Sequence, residues 1–166
     1  SEMCIRDRYY REDNTAKTAC IKFNDFDSDC AIESYTTEIA HVEEYESGQF
    51  YKRELPCIMS VISKLDMSDI KYIIVDSYVY LGEGKEGLGC KLFHVLDEKI
   101  PIIGIAKNKF KSEKVSEEVL RGNSKKPLYI TSIGIDVKEA AKYVKYMYGE
   151  YRLPYFVKEV DKLCRN

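Results

Sequence analysis

The sequence predicts an α/β fold, with a mixed central sheet in which N-terminal antiparallel strands precede parallel ones and helices cover both faces. Three observations carry this. Strand-like segments joined by a turn come first. Strand–helix alternation begins at Glu54. The later strands are short apolar runs, Lys71–Asp76 (KYIIVD), Pro101–Ala106 (PIIGIA) and Pro127–Ser132 (PLYITS), as expected of strands buried on both faces.

Residues 1–8 (SEMCIRDR) match no element pattern and resemble a translated sequencing-adapter stretch. They are read as a non-native start to a single domain over residues 1–166. Lys17–Phe23 alternates weakly as a strand, and Ala31–Tyr45, rich in Thr, Ile, Tyr and Val, reads as one long or two short strands. Asp25, Asp27, Ser28 and Asp29 supply the turn between them. Leu55, Ile58, Ile62 and Leu65 recur at helical spacing, with Pro56 in the first turn. A glycine-rich loop (Gly82, Gly84, Gly87, Gly89) separates the KYIIVD strand from a helix marked by Leu88, Leu92, Val95 and Leu96. Val137–Tyr148 places Ala140, Ala141, Val144, Met147 and Tyr148 on one helical face. Pro154 opens a last helix that turns Phe156, Val157, Val160, Leu163 and Cys164 inward.

Composition excludes several classes. The 166 residues are 45% hydrophobic and 33% charged, which rules out a disordered chain. Apolar runs such as Ile73–Val75 are too short to span a bilayer, and no secretory leader is expected at the N-terminus. A net charge of -2 excludes a uniformly basic nucleic-acid binder but leaves room for a local basic patch. The cysteines at 4, 20, 30, 57, 90 and 164 form no C-x-x-C pair, and His41 and His94 stand alone. Neither a structural zinc site nor a disulfide framework is expected. The thiols are read as reduced and mostly buried, in a cytoplasmic protein.

In open α/β sheets, sites gather at the carboxyl ends of strands. Asp76 lies at such an end, either as a functional acid or as a cap for the following loop. Glu54 opens a helix, where the dipole favours a carboxylate. The loop LGEGKEGLG (81–89) is neither a P-loop nor a dinucleotide fingerprint; it reads as a flexible loop beside a site. Residues 107–126 carry seven cations (Lys107, Lys109, Lys111, Lys114, Arg121, Lys125, Lys126) against Glu113, Glu117 and Glu118. That excess suits a phosphate backbone or a solvated surface.

Four segments, in order, resemble the endonuclease V family. Tyr45-Glu-Ser-Gly-Gln-Phe-Tyr-Lys-Arg-Glu54 resembles its Y-x-P-G-x-x-x-x-R-E. Val75-Asp76-Ser77 resembles V-D-G, Gly104-Ile-Ala-Lys107 resembles G-V-A-K, and Tyr151-Arg-Leu-Pro154 resembles Y-R-[LI]-P. The likeness covers roughly residues 7–165. The segments G-L-G, R-G-N-S-x-x-P-L-Y-I-T and V-D-K-L-C-R resemble a bacterial subgroup.

The resemblance implies a ribonuclease H-like fold and a divalent-metal endonuclease that cuts DNA or RNA near deaminated bases such as (deoxy)inosine, in repair. It implies Mg²⁺, with Mn²⁺ as a substitute, held by Asp7, Glu54 and Asp76. Asp7 follows from Asp7-Arg-Tyr-Tyr10, which resembles the family's D-[VI]-x-[YF], with Arg8 replacing an apolar residue. Asp25 is the fallback ligand. The residues before Asp7 are expected to be frayed or only partly paired, and Asp7 to converge with Glu54 and Asp76. Lys107 would contact the scissile phosphate or orient water. Tyr45 resembles the wedge that fills the gap left by a displaced base, and Lys85, Lys109, Arg121, Lys125 and Lys126 would meet the nucleic acid. No membrane and no obligate protein partner are expected.

Two departures stand out. Ser77-Tyr78-Val79 replaces the family's G-H-G, and Ile135 aligns where the family's late His follows S-x-G. Asp136 either takes that role or caps the helix before Val137. The alternatives are a catalytically impaired nucleic-acid-binding module and a ribonuclease H-like nuclease of other substrate preference.

Overall fold

The computed structural model describes residues 1–10, 15–39, 51–82, 84–110 and 115–165, with side chains throughout these except at 7–10 and 51–53. Nine strands and four helices follow in order among them: β1 (Glu2–Tyr10), β2 (Thr15–Phe23), β3 (Ala31–Ile39), α1 (Tyr51–Ile62), β4 (Tyr72–Val75), β5 (Tyr80–Gly82), β6 (Lys85–Glu86), α2 (Leu88–Val95), β7 (Ile102–Ala106), β8 (Glu117–Val119), β9 (Leu128–Ile133), α3 (Val137–Tyr146) and α4 (Tyr155–Arg165).

Seven strands form one sheet in the order β3-β2-β1-β4-β7-β9-β8, and β5 and β6 make a separate hairpin. β1, β2 and β3 are the antiparallel meander, and β1, β4 and β7 run parallel. All five residues of β7 are buried, so the continuous apolar run reports a strand covered on both faces. α1 and α2 cover one face, packing Ile58, Val61, Ile62 and Leu92 on Met3, Ile5, Ile73 and Ile102. α3 and α4 cover the other, packing Val144, Phe156, Val157 and Val160 on Cys4, Ile21, Ile74 and Ile105. The Phe156 ring stacks on Phe23 at 4.5 Å and fixes α4 against β2.

Several expectations change. The residues before Asp7 are not frayed: Glu2–Ile5 pair with β2 on one side and β4 on the other, and Met3, Cys4 and Ile5 are buried. Their alternation feeds the two cores by turns, which a three-residue apolar run does not reveal. β9 runs antiparallel to β7, and β8 antiparallel to β9. No helix lies between β7 and β9 among the described residues, and a parallel return needs such a crossover. α1 begins at Tyr51, so Pro56 lies inside it rather than in its first turn. α3 ends at Tyr146, leaving Tyr148 exposed, and Val95 of α2 is exposed too. Within the glycine loop, Tyr80–Gly82 and Lys85–Glu86 pair as the β5–β6 hairpin. Five cysteines are buried thiols outside any disulfide and Cys30 is an exposed one. No helix among the described residues is long and apolar enough to cross a membrane.

Glu2 is a buried acid at the amino end of β4, opposite Tyr72 and 4% exposed. Its Oε2 has no hydrogen-bond partner, and burial pushes its carboxyl from 4.5 up to about 7. Asp25, in the turn after β2, adds to that rise. Asp25 therefore lies at the end of the sheet opposite Asp76 and does not serve as a fallback ligand beside it.

Candidate functional site

β4 and β7 end side by side, next to the point where β1 runs on past its last pairing with β4. Ile5 of β1 pairs with Val75 of β4, and Val75 with Gly104 of β7. The residues that follow bring Arg6, Asp76 and Lys107 to the carboxyl edge of the sheet. The Arg6 guanidinium contacts the Asp76 carboxylate directly, and Lys107 Nζ lies 3.9 Å from Asp76 Oδ2. Arg6 Nε also lies 2.7 Å from Asp161 Oδ1 on α4, and Arg165 Nε lies 2.9 Å from Asp161 Oδ2. The Cys164 thiol donates to the Arg6 carbonyl at 2.9 Å, which ties α4 to this end of β1. Arg165, Asp161, Arg6, Asp76 and Lys107 thus form a row of alternating charge. Burial lowers the pKa of Lys107, and the facing Arg6 lowers it further.

The side chain of Asp76 is only 10% exposed, and its Oδ2 is a buried atom with no directed hydrogen bond despite the Arg6 contact. A hard carboxylate oxygen at a strand end fits a divalent cation of the Mg²⁺ class. The cation beside it in this structure is Arg6. Glu54 is half-buried in the first turn of α1. Asp7, on β1 one residue beyond Arg6, pairs with Thr18 of β2; its side chain lies outside the described residues, as does all of Tyr45.

The loop after Asp76 explains two motifs. A Cβ on Gly104 would meet the Ser77 carbonyl oxygen at 2.3 Å and Thr131 Oγ1 at 2.7 Å, so only glycine lets residues 77–79 cross β7 this closely. Thr131 Oγ1 accepts from the Val79 N–H at 2.8 Å. The Tyr78 hydroxyl donates to the Asn108 carbonyl at 2.8 Å and accepts from the Phe110 N–H at 3.1 Å. Tyr78 therefore fastens the chain beyond Lys107 to the loop beyond Asp76. Arg152, of the Y-R-L-P segment, donates to the carbonyls of Lys107, Lys126 and Pro127 at 2.5, 3.1 and 2.7 Å. It holds the end of β7 against the start of β9.

Arg121 corrects the expected basic patch. It is 5% exposed, and its guanidinium donates to five backbone carbonyls, those of Lys145, Met147, Gly149, Tyr151 and Arg152. It caps the end of α3 and cannot face a phosphate. Lys85, Lys109, Lys125 and Lys126 are exposed. Asp136 is the helix cap: its Oδ2 accepts from the Glu139 N–H at 3.3 Å. His94 does not stand alone, since Glu86 and Cys90 both lie within 3.5 Å of it. The sequence reading missed Asp161 and Arg6. Asp161 follows Val157 by four residues, on the inward flank of α4, and that spacing was its one signal.

The profile of the family described as endonuclease V matches residues 6–122. The chain belongs to the endonuclease V family. Membership makes it a nuclease that hydrolyses phosphodiester bonds, in a family that depends on metal ions. Solved family structures have the same ribonuclease H-like fold. The catalytic domain of human endonuclease V aligns with TM-score 0.82 and 17% identity, over 99% of this chain and 80% of that one. Endonuclease V of Ciona intestinalis, in complex with a 24mer DNA containing an inosine followed by a ribo-adenosine, aligns with TM-score 0.82 and 15% identity, over 99% and 84%. The Bacillus subtilis enzyme aligns with TM-score 0.78 and 20% identity, over 99% and 78%. No curated protein matches the sequence significantly.

Proposed function

We propose that this chain is a divalent-metal endonuclease cutting DNA or RNA next to deaminated bases such as (deoxy)inosine, in cytoplasmic nucleic-acid repair. The observation that carries the reading is Asp76 at the carboxyl end of β4, its side chain 10% exposed and its Oδ2 3.9 Å from Lys107 Nζ. The inosine-containing DNA held by the Ciona relative supports the substrate class. Asp76, with Glu54 and Asp7, would hold Mg²⁺ or Mn²⁺, which when bound neutralises phosphate charge and activates a water. Lys107 donates to a non-bridging phosphate oxygen and offsets the charge that develops there. Arg152 and Tyr78 hold the backbone around Lys107, so its ammonium meets the phosphate from a fixed base. Lys85, Lys109, Lys125 and Lys126 contact the sugar–phosphate backbone without reading sequence.

The test is a nicking assay with Mg²⁺ or Mn²⁺ on inosine-containing and matched control strands, both DNA and RNA. Asp76→Asn and Glu54→Gln should each lower cleavage by about 100-fold or more while the melting transition is kept. Wild-type cleavage by Asp76→Asn refutes the assignment. A second reading, a nucleic-acid-binding module with impaired catalysis, is favoured by Arg6, whose guanidinium contacts Asp76. Inosine-dependent binding without metal-dependent nicking selects it.

A further inference from the structure

On the hairpin and helix that follow the Asp76 loop, Glu86, Cys90 and His94 bring three unlike donor atoms together. Glu86 Oε1 lies 3.2 Å from His94 Nε2 and 3.4 Å from Cys90 Sγ, and Cys90 Sγ lies 3.5 Å from His94 Nε2. A tetrahedral zinc ion holds sulfur at about 2.3 Å and nitrogen or oxygen at about 2.0–2.1 Å. The edges of such a tetrahedron are then about 3.3 Å for nitrogen to oxygen and about 3.5 Å for sulfur to either. The three observed separations match one face of it.

The surroundings fit as well. His94 Nδ1 lies 3.0 Å from Glu98 Oε1, the outer carboxylate that fixes a metal-binding imidazole with its Nε2 lone pair free. Lys91 Nζ holds the other Glu86 oxygen, Oε2, at 2.7 Å, which leaves Oε1 for an ion. Cys90 is buried, whereas the side chains of Glu86 and His94 are 39% and 45% exposed, so an ion can enter from solvent. A thiolate with an imidazole selects zinc over the hard cations that suit Asp76.

We propose that Glu86, Cys90 and His94 form a zinc(II) site, with Glu98 as its outer carboxylate and the fourth position open to water. The ion takes the thiolate of Cys90, and the thiol proton leaves to solvent. Its effect is mechanical: Glu86 lies on β6 and the other two on α2, so the ion pins the β5–β6 hairpin, which continues from the Asp76 loop, to the helix beneath it. The site is separate from the proposed nuclease centre, and its existence does not depend on that reading.

The test adds Co²⁺, and separately Zn²⁺, to the full metal-free chain. The expected result is one tightly held ion per chain, with a near-ultraviolet thiolate-to-cobalt charge-transfer band. The band should vanish in Cys90→Ser and persist in Cys30→Ser and Asp76→Asn. Glu98→Gln, at an exposed position, should weaken Zn²⁺ binding about 10-fold or more. Zn²⁺ should raise the melting temperature of the wild type and not of His94→Gln. Absence of the band from the wild type, its survival in Cys90→Ser, or its loss in Asp76→Asn overturns the proposal. In that case the cluster is a Glu–His hydrogen bond with a thiol donating to the same carboxylate.

Discussion

Replacing Glu2 with Gln should stabilise the protein at neutral and alkaline pH and leave it unchanged near pH 4. Folding holds this carboxyl at about 7 against an ordinary 4.5, because ionised Glu2 has lost its water and its Oε2 has no partner. A folded pKa above the unfolded one means the native state binds the proton more tightly. The stability linked to that proton is complete below about pH 4.5 and is lost as pH rises through about 7. The shift corresponds to about 3 kcal/mol. Gln copies the protonated shape and carries no charge at any pH. Urea denaturation of Glu2→Gln and wild type should therefore coincide near pH 4. By pH 8 the midpoints should separate by about 1–3 M in favour of the variant, given slopes of about 1–3 kcal/mol/M. All other carboxylates cancel in the comparison. A difference that is constant across pH, or a less stable variant at pH 8, refutes the argument that burial dominates over the nearby Lys71 and the terminal amine.

Arg121→Met should cost about 3–5 kcal/mol of stability, since it leaves five carbonyls without their shared donor, and should leave the salt dependence of nucleic-acid binding unchanged; denaturant melts and binding titrations measure the two effects separately. Lys125→Ala with Lys126→Ala should do the reverse. It should weaken binding across sequences and reduce the salt slope by about 2, with little change in melting. An unchanged slope would assign these lysines to the solvated surface.

The parts of the site legible in the sequence are those set by single strands. Asp76 and Lys107 each follow an apolar run of four or five residues, and such runs end where a parallel sheet exposes its carboxyl edge. The arginines were not legible. Arg121 sits among lysines in the sequence, but its partners are carbonyls 24 to 31 residues away, and no count of local charge distinguishes a capped guanidinium from a solvated ammonium. The residues before Asp7 were misread for a similar reason. Met3, Cys4 and Ile5 are held by partners about 20 residues away on one side and 70 on the other, and neither pairing leaves a local trace. Glu86, Cys90, His94 and Glu98 recur every four residues, a visible pattern. Yet only the meeting of the β6 end with α2 and the turn beyond it makes it a cluster.

Arg121 grips its surroundings only through main-chain oxygens, and a carbonyl is the same whatever side chain stands beside it. The hub therefore fixes the path of residues 145–152 while placing almost no demand on their identity. Tyr146, Tyr148 and Tyr151 are all largely exposed on that path. At those three positions a new surface can be written, in charge or in aromatic character, without redrawing the turn that carries it, provided Arg121, Met147, Gly149 and Arg152 are kept.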